Sequence, residues 1–123
     1  MKRLIFDLDE TLCSARDSDY ANAEPKRDVI EKLREYKAQG FEIAISTARN
    51  MRTFGGSVEK ITAYTLPVIL DWLKRHDVPY DEVFVAKPWC GHEGFYVDDK
   101  AIRPQEFVKL SYPEICALVG IHA

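Results

Sequence analysis

Four short apolar runs stand out along the chain. They are residues 4–6, 41–45, 83–86 and 94–97. Nearly continuous apolar runs of this length are typical of strands that are buried on both faces of a parallel sheet. The pattern therefore predicts four buried strands.

Apolar residues at helical spacing fill the segments between these runs. Residues 28–39 carry an apolar stripe and predict an amphipathic helix that ends before Gly40. As the crossover between the first two strands, this helix predicts that they pair in parallel. A second helix is predicted from residue 65 to about 74, with 57–64 as a helical stretch before it. Residues 111–114 (Ser-Tyr-Pro-Glu) form a capping box that predicts a short C-terminal helix.

The alternation of strand and helix predicts an α/β fold. We expect a three-layer Rossmann-like domain with a mainly parallel central sheet. A chain of 123 residues has the size of one domain with one core, so residues 1–123 are predicted to form a single domain.

A polar group follows each apolar run. The candidates are Asp7, Asp9 and Thr11 after the first, Thr47, Ala48 and Arg49 after the second, Lys87 after the third, and Asp98 and Asp99 after the fourth. Ligands of open α/β sheets bind outside the carboxyl ends of the strands. Carboxylates, a hydroxyl and an ammonium group at this edge predict a site for phosphate and a metal ion.

The first two carboxylates are the strongest single signal. Side chains alternate along a strand, so Asp7 and Asp9 point the same way if the strand continues, and can converge on one ligand where it ends. Two like charges at this spacing repel unless a cation or a shared proton relieves them. Oxygen ligands of this kind suit Mg²⁺. The alternative for the pair alone is a solvated turn.

Four motifs, in this order, resemble those of the haloacid dehalogenase superfamily of phosphatases. They are Asp7-Leu8-Asp9-Glu10-Thr11, Ser46-Thr47-Ala48-Arg49, Lys87-Pro88 and Asp98-Asp99. The longer stretches 46–53, 87–91 and 94–104 resemble the small phosphatases encoded with bacterial capsule polysaccharide genes. Superfamily members often carry a cap domain, but neither usual insertion point holds a segment long enough for one, so we expect a capless protein.

The resemblance implies hydrolysis of a phosphate monoester in two displacements. Asp7 would be the nucleophile and Asp9 the general acid. Mg²⁺ would be held by Asp7, by Asp98 and by the backbone carbonyl of Asp9. The substrate class implied is a phosphorylated sugar, a polyol phosphate or a nucleotide-sugar-linked intermediate of surface polysaccharide synthesis.

The remaining motif residues have supporting roles in this scheme. Thr47, with Ala48 and Arg49 beside it, would bind the phosphoryl group, and Lys87 would place a positive charge on it. Asp99 would orient a metal-bound water or Lys87, and Thr11 would stabilise the turn after the first strand.

The position of the lysine is left open by the chain length. Seven residues, from Lys87 to Glu93, separate the third and fourth runs, whereas a parallel crossover usually needs a dozen or more. Either this connection is an extended loop or one strand is shorter than predicted. Lys100 is the alternative phosphate-contacting lysine.

Several charged residues near the site have open roles. Arg49 could reach a second anionic group of the substrate or form a surface salt bridge. The same alternatives hold for Arg52 and Arg103. His92 lies in a glycine-flanked loop and could touch the substrate.

Two other functions share parts of this pattern. A signalling receiver domain also uses Asp, Thr or Ser, Lys and Mg²⁺, but its acidic pair comes first and its phosphoacceptor Asp lies mid-chain. Here the acidic pair Asp98-Asp99 follows the lysine. A phosphomutase would share the catalytic residues but usually needs a cap.

The charge and composition of the chain argue against two classes of partner, nucleic acids and membranes. A net charge of −3 argues against nucleic-acid binding, and the longest apolar runs are too short to span a membrane. No secretory signal precedes the first strand, and three widely spaced cysteines indicate reduced thiols, so a cytoplasmic location is expected. An open, capless site is covered either by a large substrate or by a neighbouring subunit, and we expect the second, a homo-oligomer (dimer or tetramer). The apolar residues near the predicted rim would suit either kind of cover; they are Met51, Phe54, Trp89 and Phe95.

Overall fold

The computed structural model describes residues 2–15 and 19–122. In chain order the strands are β1 (Arg3–Phe6), β2 (Cys13–Ser14), β3 (Glu24–Pro25), β4 (Glu42–Ser46) and β5 (Glu82–Phe84). The helices are α1 (Arg27–Ala38), α2 (Val58–Lys60), α3 (Leu66–Arg75), α4 (Pro104–Lys109) and α5 (Tyr112–Val119). The chain divides into two compact units, residues 1–89 and 90–123.

A parallel sheet organises the first unit. Its strand order is β1-β4-β5, with Phe6 beside Ile45 and Ile45 beside Val83. The predicted parallel pairing of the first two strands is confirmed, as is the α/β fold with a parallel sheet. Because the three strands run the same way, their carboxyl ends meet at one edge.

Helix α1 connects β1 to β4 and buries the predicted stripe. Val29, Ile30, Leu33 and Tyr36 are buried, and the chain leaves the helix through Gly40, whose φ of 93° suits glycine. The predicted helix at 28–39 is therefore confirmed within one residue at each end.

The second predicted helix is continuous with the stretch before it. Ser57 caps α2 by accepting a hydrogen bond from the Lys60 N–H, and a π-helical turn at Ile61–Thr65 joins α2 to α3. Pro67 has no N–H to donate, so it interrupts the regular α-helical ladder at this point. A π turn is one way in which a helix accommodates such an interruption.

The core of the first unit lies between the sheet and these helices. Leu8, Leu12, Leu33, Ile43, Ile45, Ile61, Ile69 and Leu73 are fully buried. Trp72 is buried with them, and its indole N–H donates to the carbonyl of Ala23 at 2.9 Å. This bond ties α3 to the segment before β3.

The second unit, residues 90–123, differs from the sequence prediction at one segment. Residues 94–97 form no strand, and Phe95 and Val97 are 74% and 93% exposed. The prediction of a fourth strand there is wrong for this structure, because an apolar run forms a strand only where it pairs with another strand, and the sequence pattern does not report such pairing.

Two helices follow in the same unit. The predicted C-terminal helix is confirmed as α5, where Ser111 accepts from the Glu114 N–H and Glu114 accepts from the Ser111 N–H. Helix α4 was not predicted, although Pro104 at its start and Glu106, which accepts from the Arg103 N–H, were readable as signals.

Two predictions concern the chain as a whole. The single domain at 1–123 stays a prediction. In the part of the chain that the structure describes, no helix is long and apolar enough to cross a lipid bilayer.

Candidate functional site

The turn after β1 positions the first two carboxylates. Asp7 accepts a hydrogen bond from the Leu8 N–H at 2.8 Å, while Leu8 itself is buried. The carbonyl of Leu8 accepts from the N–H groups of Thr11 and Leu12, at 3.2 and 2.9 Å. Thr11 thus lies in this turn, through its backbone. The buried Leu8 anchors the turn so that Asp7 and Asp9 flank it.

The loop after β4 is built around Thr47. Its N–H donates to the carbonyl of Phe84 at 2.9 Å, which extends the pairing of β4 with β5 by one step. Its hydroxyl accepts from the Arg49 N–H at 3.1 Å, and the residue is only 1% exposed. Thr47 is therefore held rigidly, with Ala48 partly exposed beside it.

Lys87 joins the same edge from the end of β5. Its N–H donates to the carbonyl of Thr47 at 3.0 Å, and its Nζ lies 4.0 Å from Oδ1 of Asp7. Ala86, just before it, has a φ of 63°, a left-handed conformation that is unusual for alanine. This conformation and the backbone bond together direct the chain so that the ammonium group approaches Asp7.

Arg49 forms a buried, bidentate ion pair with Asp9. Its Nη2 and Nε donate to Oδ1 and Oδ2 of Asp9 at 2.7 and 3.2 Å, and the residue is 4% exposed. Its guanidinium also lies 4.4 Å from the ring centroid of Tyr20. Of the two alternatives for Arg49, the structure shows a salt bridge, but a buried one rather than a surface one.

One nitrogen of the Arg49 guanidinium takes no part in this ion pair. Nη1 of Arg49 is buried and has no hydrogen-bond partner among residues 2–15 and 19–122. A buried donor without a partner is costly, and Arg49 tolerates it because its other nitrogens are satisfied and its plane rests on Tyr20.

Cys13 and Tyr20 are contacts of the site that sequence reasoning missed. The Cys13 thiol lies 3.5 Å from Oδ1 of Asp9 and is fully buried. Burial, with a smaller contribution from the Asp9 carboxylate, raises the pKa of this thiol to about 12. The position of Cys13 four residues after Asp9 was the only signal in the sequence, and no spacing rule linked Tyr20 to Arg49.

The electrostatics of Asp7 differ from those of Asp9. Burial raises the pKa of the Asp7 carboxyl above its ordinary value, against the opposing effects of Lys87 and of the Leu8 N–H. The charged form of Asp7 is therefore under-stabilised by the protein alone. A further positive charge at this position would relieve it.

The structure brings together five of the predicted site residues. Asp7, Asp9, Thr47, Arg49 and Lys87 are linked by the contacts given above. Within residues 2–15 and 19–89, no group of three or more His, Cys, Asp or Glu side chains is arranged to hold a metal ion.

The other predicted residues belong to the second unit. Asp98 and Asp99 are exposed there, and Oδ1 of Asp98 accepts from the Lys100 N–H at 2.9 Å. His92, Lys100 and Arg103 are also exposed in this unit. In the first unit, the guanidinium of Arg52 lies 6.0 Å from the ring centroid of Trp89. The roles predicted for these residues stay predictions.

Comparison with known proteins gives two results. The sequence model of the haloacid dehalogenase-like hydrolases matches residues 4–72 of the chain. A crystal structure of a protein from Vibrio cholerae, described only as an MCSG target, is 60% identical in sequence, with a TM-score of 0.95 over 98% of each chain. Among curated proteins there is no significant match.

We expect Asp7→Asn to stabilise the folded protein at neutral pH. The Asp7 carboxyl has a higher pKa in the folded protein than in the unfolded one. The free energy of unfolding therefore falls as the pH rises through the unfolded-state pKa and then the folded-state pKa, so the charged carboxylate opposes folding at pH 7. The partly exposed side chain is screened by solvent, so the gain should be small. Urea denaturation in the presence of a chelator measures it.

The same experiment at low pH is the control. The difference between wild type and Asp7→Asn should shrink below about pH 4, where the carboxyl is protonated in the unfolded state as well. A wild-type protein that is more stable than the variant at pH 7 would contradict the buried-charge interpretation.

Proposed function

Because the chain belongs to the haloacid dehalogenase-like hydrolase family, and is therefore a hydrolase, we propose that it is a Mg²⁺-dependent phosphatase. It hydrolyses a phosphate monoester of a small metabolite through an aspartyl-phosphate on Asp7. The observation that carries this proposal is the pairing of Asp7 with Lys87 at the carboxyl edge of the sheet, Nζ to Oδ1 at 4.0 Å. This is a nucleophile with a cation beside it.

In the first step an oxygen of Asp7 attacks phosphorus, and the P–O bond to the leaving group breaks. Asp9 donates a proton to the departing alkoxide. In the second step a water attacks the phosphorus of the aspartyl-phosphate, Asp9 takes a proton from that water, and Asp7 is released with inorganic phosphate. A carboxylate attacks at neutral pH without a base, since it is already ionised.

Arg49 governs what Asp9 can do. With both oxygens of Asp9 accepting from Arg49, one oxygen must leave the pair before Asp9 can carry a proton to the leaving group. The ion pair thus fixes the position of the Asp9 carboxylate before the substrate binds, and substrate binding must displace one of its oxygens from Arg49.

Thr47 and Lys87 act on the phosphoryl group. The Thr47 hydroxyl accepts from the Arg49 N–H, so its own hydrogen is left to be donated. Lys87 supplies positive charge within reach of any oxygen bound near Asp7. Fixed donors of this kind stabilise the charge that develops in the transition state.

The donor set fits Mg²⁺. Asp7 offers a carboxylate whose charge is under-stabilised by the protein, and the side chain of Asp9 is occupied by Arg49, which leaves its backbone carbonyl as the donor. Asp98 would be the second carboxylate. When bound, Mg²⁺ neutralises charge between substrate and enzyme and orients the phosphoryl group.

The substrate class follows from the sequence resemblance alone. We propose a phosphorylated sugar, a polyol phosphate or a nucleotide-sugar-linked intermediate of capsule or surface polysaccharide synthesis, converted in the cytoplasm. A panel of such esters, assayed by phosphate release, identifies the substrate as the compound with the highest kcat/KM.

Asp7→Asn should abolish turnover, because an amide cannot attack phosphorus. The measurement is release of phosphate from an aryl phosphate with Mg²⁺, which wild type should catalyse and which EDTA should stop. Asp77→Asn is the matched control, since Asp77 is exposed and has a left-handed backbone that asparagine tolerates. Wild-type rates in Asp7→Asn would overturn the mechanism, and wild-type protein that is only phosphorylated, without turnover, would indicate a receiver.

Asp9→Asn should slow an alkyl phosphate far more than an aryl phosphate. An alkoxide needs a proton to leave, whereas an aryl oxide needs little. Asparagine keeps an oxygen that can accept from Arg49, so the loop should stay folded. Equal losses on both substrates would show that Asp9 has a structural role instead.

Lys87→Ala should lower kcat by a factor of about 10²–10³, the range for removal of one preorganised electrostatic contact. Lys100→Ala is the matched comparison, because Lys100 is the other candidate and is exposed in the second unit. A mild effect at Lys87 with a severe one at Lys100 would reverse the assignment.

A further inference from the structure

Thr65 is a polar residue on the buried face of the helical segment that contains the π turn. Ile61, Thr65 and Ile69 are all buried, and they follow one another at intervals of four residues. The Leu66 N–H closes the π turn by donating to the carbonyl of Ile61, five residues earlier. Such a turn is wider than an α-helical one, so it keeps residues at this spacing on one face.

The hydroxyl of Thr65 has its hydrogen-bond partner far away in the chain. A buried hydroxyl needs a partner, and a threonine within a helix commonly uses a carbonyl three or four residues earlier. Thr65, which is only 3% exposed, instead donates to Oδ1 of Asn50 at 2.8 Å, across fifteen positions of the sequence. The helix is thereby tied to the loop that follows β4.

Neither packing nor the interrupted helix explains a hydroxyl at this position. Valine has nearly the same shape as threonine, and it would place a methyl group where Thr65 buries a hydroxyl. Pro67, which has no N–H, accounts for the interruption of the α-helical ladder but places no requirement on the side chain of Thr65. The bond to Asn50 is the feature that distinguishes threonine from valine here.

Asn50 has an unusual backbone that its side-chain contacts hold in place. Its φ of 62° is left-handed, a conformation that asparagine adopts more readily than most residues. Its amide accepts from Thr65 and donates to the hydroxyl of Thr53 at 3.2 Å, and its carbonyl accepts from the Phe54 N–H at 3.0 Å. Thr53 is exposed, so water can replace it as a partner, whereas Thr65 is buried and has no such substitute.

The loop between Thr47 and Asn50 is therefore anchored at both ends. At its start the backbone of Thr47 is bonded to the chain at the end of β5, and at its end the side chain of Asn50 is bonded to Thr65. Between these anchors the Arg49 N–H donates to the hydroxyl of Thr47 at 3.1 Å. A change in the backbone direction at Asn50 would thus move Arg49 and alter the contact that orients the Thr47 hydroxyl.

We propose that Thr65 is a positioning residue for this loop and acts through its hydrogen bond to Asn50. The buried hydroxyl keeps Asn50 in its left-handed conformation, and Asn50 in turn keeps Thr47 and Arg49 in the arrangement that the site requires. The inference rests on the proposed function, because the loop binds a phosphoryl group only if the protein is a phosphatase. The anchoring of the loop itself is a separate claim that can be measured without activity.

Thr65→Val tests the inference, because it removes the hydroxyl and keeps the shape of the side chain. The kcat/KM for an aryl phosphate with Mg²⁺ should fall by a factor of about 10–100, the scale for a displaced site. The inhibition constant of inorganic phosphate should rise by a factor of about 2–10, the range for one lost hydrogen bond. This constant does not depend on the fraction of enzyme that is folded, so a loss of stability alone would leave it unchanged.

Two further threonine variants are the controls. Thr65→Ser keeps the hydroxyl, so it should restore most of the kcat/KM and of the phosphate affinity that Thr65→Val loses. Thr62→Val makes the same chemical change at an exposed position of the same π turn, and it should match wild type in both constants. Equal losses in Thr65→Ser and Thr65→Val, or an unchanged phosphate inhibition constant in Thr65→Val, would overturn the inference.

Asn50→Gly shows whether Thr65 acts through Asn50. Glycine adopts the left-handed conformation readily but has no amide to accept from Thr65. If the two residues act as one unit, the double variant Asn50→Gly/Thr65→Val should lose no more kcat/KM than Asn50→Gly alone. Losses that multiply would show that the two residues act independently, which contradicts the proposed route.

Hydrogen exchange followed by NMR gives a readout that does not depend on activity. The Arg49 and Met51 N–H groups, which bond the Thr47 hydroxyl and the Ala48 carbonyl, should exchange faster in Thr65→Val than in wild type or Thr62→Val. The amides of β4 should keep their protection. Unchanged exchange in the loop would overturn the inference. Faster exchange in the loop, with a wild-type protein that has no phosphatase activity, would remove the proposed function and leave the anchoring of the loop established.

Discussion

The parallel register between β1 and β4 is the constraint on which the site depends. It sets Phe6 beside Ile45, so the chain that follows β1 begins next to the chain that follows β4. Thr47 extends this alignment to the chain at the end of β5. Its N–H donates to the carbonyl of Phe84, and its carbonyl accepts from the Lys87 N–H. A slip of one residue would turn Phe6 and Ile45 to the wrong faces, so burial of these side chains keeps the site residues in place.

The Arg49–Asp9 pair shows how the fold and the chemistry compete for one carboxylate. A buried guanidinium needs anionic partners, and Asp9 provides both of its oxygens. The same carboxylate is the proposed acid, which must carry a proton at one stage of the reaction. In the proposed mechanism the two aspartates therefore meet separate demands, with Asp7 beside Lys87 for attack and Asp9 beside Arg49 for proton transfer.

The sequence predicted the elements whose pattern is local and missed what depends on tertiary contacts. The ends of β1 and β4 were readable because their apolar runs stop at the polar residues Asp7 and Ser46, whereas β5 ends at Phe84, two residues before its apolar run does. The fourth run was read as a strand in the same way, but periodicity carries no information about whether a partner strand is within reach. The contacts of Tyr20 and Cys13 were missed because they join positions that no spacing rule connects. The buried Nη1 of Arg49 was missed because the burial of an arginine follows from tertiary packing.

The three cysteines have very different reactivity as a result of where they lie. Burial raises the pKa of the Cys13 thiol to about 12, which keeps it protonated at neutral pH, and the side chain is buried beside Asp9. Cys116 is also buried, whereas Cys90 is exposed at the start of the second unit. Alkylating dyes and mild oxidants should therefore modify the native protein at Cys90 first. The wild-type chain therefore offers Cys90, at the start of the second unit, as a position for a fluorescent label.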